Sequence, residues 1–423
     1  MTGEESDMNR FKPSLSTLYT FFRWALLAAL TGLVCGLLGA GFHRCVSLAT
    51  RWRGENPWLI WLLPAGGVLI AALYGWLKQP VGLGTDDLFT SIRDKGDVPI
   101  AMAPLIFVST FLTHLLGGSA GREGAALQLG GSVANGIGRL LRLDENGRRT
   151  MTLIGMGALF SALFGTPVTA TVFVMEVLAV GHMMYSSLLP CAVASLTAYG
   201  VSLMLGIRPE GYVIAHAPEF GFLPLVQVTL LAALCAGLSV LFCLTMHTFH
   251  ALIGRWLKQP FIRAAAGGAV IVLLTLLVGT RDYNGAGGDV IERAIGGVAR
   301  PQDFILKLLF TAITLGSGYK GGEIVPTFFV GATFGCVVGP LIGLDPGFAA
   351  AVALAATFCG NTNCPVASVF LAVELFGGRA VPLFAAACAV SYALSGRFSL
   401  YHAQLNPFAN LKRGEVLLPG EEE

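Results

Sequence analysis

Arg122 and Glu123 stand between glycines in GSAGREGAALQLGG, residues 118 to 131, inside an otherwise apolar stretch. Charge in such surroundings is expensive and marks a functional position by default. Glycine tolerates unusual dihedrals and close approach. Where it precedes a helix, the free N–H groups and positive dipole end of that helix attract an anion without a full positive charge. Three segments have this form: GLG (Gly82, Leu83, Gly84), GREG (Gly121 to Gly124) and GGEIVP (321 to 326), each just ahead of an apolar run. Three helix N-termini can therefore converge on one spot. A carboxylate beside that spot is itself an anion. Ionised, Glu123 occupies the place a substrate ion wants; protonated, it frees it, so one group links anion movement to proton movement. The plainer alternative is that Arg122 and Glu123 pair within a loop, with Arg122 as its anchor. A buried lysine would bind an anion too tightly to release it, so turnover calls for weaker, distributed attraction.

The elements that must hold these residues are membrane helices. The 423 residues are 54% hydrophobic and 12% charged, with a mean hydropathy of +0.70, against about 25% charged in soluble domains. Apolar runs recur from about residue 24 to 394; several are long enough to span a bilayer, the run from 222 to 254 has room for more than one span, and others are short. This predicts ten or so membrane segments, full spans mixed with half-helices. Residues 1 to 20 are expected to form an N-terminal cytoplasmic segment with no cleavage signal, and 406 to 423 a short polar C-terminal tail with no regulatory domain. Arg139, Arg142, Arg148 and Arg149 fill one polar break, and Arg255, Lys258 and Arg263 another; both should face the cytoplasm. A net charge of +2 gives no argument for nucleic acid. Most of the nine cysteines lie singly in apolar runs, as packing residues do. His247 and His250 share a helical face without further ligands, which suits a structural or interfacial role better than a metal site.

Four landmarks occur twice in the same order, about 200 residues apart. LPAGGVLIAALYG (63 to 75) matches AAAGGAVIVLLTL (264 to 276), GLGTDDLFTSI (82 to 92) matches GAGGDVIERAI (285 to 295), and GGSAGREGAALQLGG (117 to 131) matches SGYKGGEIVPTFFVG (317 to 331), with Gly121 opposite Gly321. TPVTATVFVMEVL (166 to 178) matches CPVASVFLAVELF (364 to 376). The chain reads as a first membrane repeat, 21 to 206, and a second, 207 to 405. A helix should begin at Pro167 and at Pro365, where the missing N–H costs nothing. Glu176 and Glu374 then fall near its far end, as caps at the membrane surface or partners of basic loops.

At these residues the sequence resembles the CLC chloride channels and anion/proton antiporters. GREGAALQLGG looks like the GREGP signature with Ala125 in place of proline, GGEIVPTFFVGATFG like GxFxP with Pro326, GLGTD like GSGIP, and SGRFSLYHAQ (395 to 404) like the stretch carrying the pore tyrosine, here Tyr401. The resemblance spans about residues 20 to 405. It implies an all-α multi-pass membrane protein of two inverted-topology repeats with broken and re-entrant helices, in a homodimer whose subunits each hold an anion pathway. Glu123 matches the gating glutamate, Tyr401 the anion-coordinating tyrosine, and Ile324 and Val325 the anion-facing amides; Gly82, Leu83, Gly84, Gly121 and Gly124 complete the anion-binding set.

Leu83 replaces the serine of chloride-selective members, and Val177 stands where chloride/proton antiporters carry an inner glutamate. Glu323 introduces an acid into the third signature. With NTNCP and ELFG (361 to 377), this looks more like the bacterial fluoride/proton antiporter branch, although Leu83 departs from the Met or Asn common there. The expected function is fluoride export against inward protons across the cell inner membrane, with Glu123 as gate and proton carrier and Glu323 on the inner proton route, and with no metal or cofactor. The alternatives are a chloride channel or chloride/proton antiporter, a small organic anion transporter, and, remotely, an intramembrane enzyme using Glu123 and Glu323 as acid and base.

Overall fold

The computed structural model of the chain describes residues 15 to 94 and 97 to 405. The polar tail 406 to 423 lies outside the described residues, as does most of the leading segment, whose last residues already belong to the first helix. Sixteen α-helices make up the described chain. The first eight are α1 (Leu15–Glu55), α2 (Leu63–Trp76), α3 (Thr85–Arg93), α4 (Met102–Leu116), α5 (Glu123–Leu140), α6 (Glu145–Phe164), α7 (Pro167–Glu176) and α8 (Leu188–Met204). The second eight follow the same order: α9 (Phe222–Trp256), α10 (Pro260–Val278), α11 (Gly288–Ile295), α12 (Asp303–Gly316), α13 (Ile324–Val338), α14 (Pro346–Thr362), α15 (Pro365–Phe376) and α16 (Val381–Ser395).

Among the described residues, six helical stretches are long and apolar enough to cross a membrane, and four helices of 10 to 17 residues are apolar but too short. The run 222 to 254 is one long helix, α9, rather than two spans. Other runs break where the sequence cannot continue a helix. The run 151 to 180 divides at Gly165, held at φ 73° ahead of Pro167, and 326 to 358 divides into α13 and α14. Corresponding helices start by the same device: the carboxylates of Asp144 and Asp345 accept from the amides of Gly147 and Phe348, both at 3.0 Å, as N-caps of α6 and α14.

The two halves are inverted with respect to each other, and the two repeated glutamates make this visible. Glu176, last residue of α7, accepts hydrogen bonds from the amides of Val366 (3.1 Å) and Ala367 (2.8 Å) at the start of α15. Glu374, near the end of α15, accepts from the amides of Val168 (3.0 Å) and Thr169 (2.8 Å) at the start of α7, and from the Thr169 hydroxyl at 2.5 Å. Each helix ends where the other begins, so α7 and α15 are antiparallel. The glutamates do cap helices, each the helix of the other half. Their charge complements the positive dipole end it faces. We expect Glu176→Ala, which leaves the buried Ala367 N–H and the more open Val366 N–H without an acceptor, to destabilise the protein by about 1 to 3 kcal/mol, read as a lower melting temperature in detergent. Glu374→Ala should cost less, because Glu374 is only half-buried whereas Glu176 is 5% exposed.

The same pseudo-symmetry organises the centre. A Cβ on Gly67 would come within 3.0 Å of Ala264, and one on Gly268 within 2.8 Å of Pro64, so α2 and α10 cross antiparallel through their repeated glycine pairs. The Tyr319 hydroxyl sits in that crossing, donating toward the carbonyls of Leu63 (2.8 Å) and Ala264 (3.1 Å).

Candidate functional site

The GREG and GGEIVP segments meet backbone to backbone. Gly121 and Gly322 exchange two hydrogen bonds, amide to carbonyl, at 2.7 and 2.8 Å. Close approach demands glycine here: a Cβ on Gly322 would lie 2.4 Å from the Gly124 nitrogen, and one on Gly121 would lie 3.1 Å from the Gly322 oxygen. The bridge sets the register of the repeat. It places Gly121 opposite Gly322 rather than Gly321, so α5 begins at Glu123 where α13 begins at Ile324, and Glu323 corresponds to Arg122. The two glutamates are therefore neighbours across the bridge without being equivalent positions.

Glu123 is 1% exposed and turns back over the start of its own helix. Its carboxylate accepts from the Arg122 amide at 2.8 Å and from Arg122 Nε at 3.3 Å. It thus occupies the N-terminus of α5, as an anion would. Arg122 also pairs with Glu210, in the segment that links the two halves. Pairing within the loop and placement of the carboxylate over the helix start are both present in one arrangement. Glu123 lines a cavity of about 600 Å³ together with Arg53, His114, Arg122, Val325 and Phe328.

A second cavity, of about 210 Å³, lies on the other side of the bridge. Gly82, Leu83, Gly84, Gly321, Glu323 and Tyr401 all line it. The late part of α9 reaches it through Met246, His247 and His250, whereas the late part of α1 reaches the first cavity. These are the corresponding ends of corresponding helices, so inversion puts the cavities on opposite faces. The expected cytoplasmic side of the basic breaks makes the second the inner cavity and the first the outer one.

Three polar atoms in the inner cavity's wall are buried without a partner: Glu323 Oε2, the Tyr401 hydroxyl and Gln128 Oε1. Buried polar groups are ordinarily hydrogen-bonded, and here the unpaired ones share a cavity. Glu323 lies across from Gly124, where a Cβ would be 3.3 Å from its Oε2. Tyr401 is 4% exposed. Its ring packs edge-on against Phe89 at 5.0 Å, and its turn is pinned by Leu400 donating to the Asn361 carbonyl (2.8 Å) and Ala403 to Asp86 (3.0 Å). Gln404 fastens the turn to both halves, donating to the carbonyls of Val177 (2.9 Å) and Thr362 (2.8 Å).

The GLG loop serves differently from its counterparts. The Leu83 amide donates to the Pro80 carbonyl at 3.0 Å, and the Gly84 amide to the Asp87 carboxylate at 2.7 Å. These two N–H groups are engaged within the chain, and Asp87 supplies the negative charge at the start of α3. At α13 the first-turn N–H groups lack intrahelical acceptors by construction; Ile324 is fully buried there, and Val325 faces the outer cavity. Gly121 and Gly124 hold the bridge between the two sides. His247 stacks on His402 with ring centroids 3.8 Å apart at the inner mouth. No group of three or more His, Cys, Asp or Glu suited to a metal occurs among the described residues. The nine cysteines are free, and eight are buried.

Sequence reasoning missed Glu210, Gln128 and Lys320 in this neighbourhood. Glu210 carries no local signal. Lys320 was legible only as a charge beside GG.

A family model described as voltage gated chloride channel matches residues 66–396. The chloride/fluoride channel protein of Pseudomonas syringae pv. tomato is 35% identical over 416 residues, covering 96% of this chain and 91% of its own. The voltage-gated ClC-type chloride channel ClcB of Salmonella typhimurium is 26% identical over 414 residues, covering 88% and 96%. Among solved structures, a CLC-type fluoride/proton antiporter superposes with a TM-score of 0.88 at 30% identity, over 93% of this chain and 100% of that one. A slow cyanobacterial Cl−/H+ antiporter, at 20% identity and a TM-score of 0.74 over 88% and 94%, shares the fold.

Proposed function

Because this chain belongs to the voltage gated chloride channel (CLC) family, we propose that it exchanges a small halide for protons across the membrane, and that fluoride is the ion it exports. The observation that carries the proposal is the pair of unpartnered buried groups, the Tyr401 hydroxyl and Glu323 Oε2, facing one small cavity beside the start of α13. A hydroxyl and helix-end amides offer hydrogen bonds to an anion, and a carboxyl offers a proton site next to it. Fluoride, small and a strong acceptor, fits a site of few donors. The likeness to a fluoride/proton antiporter and to a chloride/fluoride channel protein supports the same ion.

In this mechanism the anion enters from the inner cavity, whose wall is formed by Gly82, Leu83, Gly84 and Tyr401, and meets the N-terminus of α13 at Ile324 and Val325. Gly121 and Gly124 let the backbones approach closely enough for the α5 and α13 ends to act together. Glu123, ionised, closes the path by sitting on the start of α5. Taking up an external proton neutralises it and weakens its hold on the amide and on Arg122, so the anion can replace it. Glu323 passes that proton to the inner cavity. An acid and base pair acting on a bound substrate has less support, since the two carboxyls face different cavities. We also propose placement in the cell inner membrane and assembly as a homodimer, which cross-linking of intact membranes tests.

Purified protein in liposomes, loaded with fluoride or chloride and given an inward or outward pH gradient, is the deciding experiment. Fluoride efflux that exceeds chloride efflux and is accelerated by an inward proton gradient is the expected result. Equal rates for the two ions overturn the assignment of fluoride, and fluxes indifferent to the pH gradient overturn exchange.

A further inference from the structure

Lys320 lines the inner cavity and is only 9% exposed, its ammonium taken up by carbonyls and a ring of the protein. Nζ donates to the carbonyls of Val81 (2.6 Å) and Leu83 (2.9 Å) and lies 4.8 Å from the centre of the Tyr74 ring. An ammonium has three donor hydrogens. Two carbonyls and one aromatic face account for all of them. Lys307 repeats the arrangement. Its Nζ donates to the carbonyls of Tyr283 (3.3 Å) and Gly285 (2.6 Å) and lies 5.2 Å from the Phe329 ring centre. In both cases one lysine takes carbonyls two residues apart in the glycine-rich loop ahead of a short helix, α3 or α11. Lys307, however, lines neither of the two cavities described.

We infer that Lys320 is a specificity-determining positioning residue: by holding the Val81 and Leu83 carbonyls it keeps the GLG wall from turning the negative ends of those peptides toward the anion. The inference rests on the transport reading above. It also removes the objection that a buried lysine traps its anion, because this ammonium is already fully engaged and acts on the ion through its field rather than by contact. A peptide carbonyl released at the cavity wall would repel any halide, and would do so unequally for ions of different size and hydration. The position that the serine hydroxyl holds in the chloride-selective pattern is thus served here from behind, by a residue of the other repeat.

The test compares fluoride and chloride efflux from liposomes holding the full-length wild type, Lys320→Met, Lys320→Arg or Lys307→Met, with apparent KM and maximal rate taken separately for each ion. Lys320→Met is expected to raise KM and to shift the fluoride to chloride rate ratio by at least about tenfold. Lys320→Arg retains the charge, but its planar fork cannot serve two carbonyls and the ring from one atom; it should shift the ratio by about threefold. Lys307→Met should lower the melting temperature and leave the ratio within about twofold of wild type. If Lys320→Met is not recovered folded, Lys320→Arg decides alone. An unchanged ratio in either recovered Lys320 variant overturns the inference, and so does an equal shift in Lys307→Met, which would mark general loosening. A wild type that moves neither halide would instead overturn the transport reading.

Discussion

Glu123→Gln should abolish coupled proton movement while leaving the fold in place. The substitution keeps shape and volume at a position 1% exposed, so packing against the bridge survives. Two things are lost together. A neutral amide cannot carry a proton between the outer cavity and the site, and it no longer offers the N-terminus of α5 a full negative charge. Losing a positioned acid/base group commonly lowers a proton-transfer rate by about 10²-fold or more, and that is the drop expected in proton uptake recorded beside anion efflux from the same liposomes. Any anion movement that persists should ignore an imposed pH gradient. Proton uptake at a wild-type ratio to anion efflux would remove Glu123 from the mechanism. The Arg122 pair sharpens the expectation: because Arg122 is also engaged by Glu210, neutralising Glu123 does not leave the guanidinium unpaired, so loss of activity cannot be attributed to an orphaned buried charge.

Much of this architecture was legible because inverted repetition leaves local marks. Pro167 and Pro365 do start helices, and the glycine-rich breaks do place helix N-termini at one junction. Register was less legible. Gly121 and Gly321 look equivalent as letters, but the bridge that settles the alignment joins Gly121 to Gly322, and its two hydrogen bonds are invisible in either segment alone. The roles of Glu176 and Glu374 were half visible for the same reason. Their place at a helix end follows from spacing, whereas the helix each one caps lies in the other half of the chain. Lys320 shows the limit most clearly. A general argument correctly excludes a free buried ammonium from a conducting site, but only geometry reveals that its three hydrogens are spoken for. GLG offers the converse: glycine before a helix suggested open amides, and a carboxylate one turn on, Asp87, takes up one of them.

Glu323→Gln separates the two sides of the bridge. Glu323 Oε2 is buried without a partner, whereas both Glu123 oxygens are engaged, so a glutamine at 323 costs no existing hydrogen bond at that oxygen and should fold normally. If Glu123 serves the outer cavity and Glu323 the inner one, the two act in series on a single proton route. Proton flux in Glu323→Gln should then fall by at least about tenfold, with anion efflux persisting because Tyr401 and the start of α13 remain. Series action makes a stricter demand on the double variant. Glu123→Gln with Glu323→Gln should move protons no more slowly than the worse single variant, since a route already interrupted is not interrupted further. Multiplicative losses in that cycle would mean that the two carboxyls contribute independently to one rate-limiting transfer rather than to successive steps, and would break the series scheme even if both single variants behaved as expected.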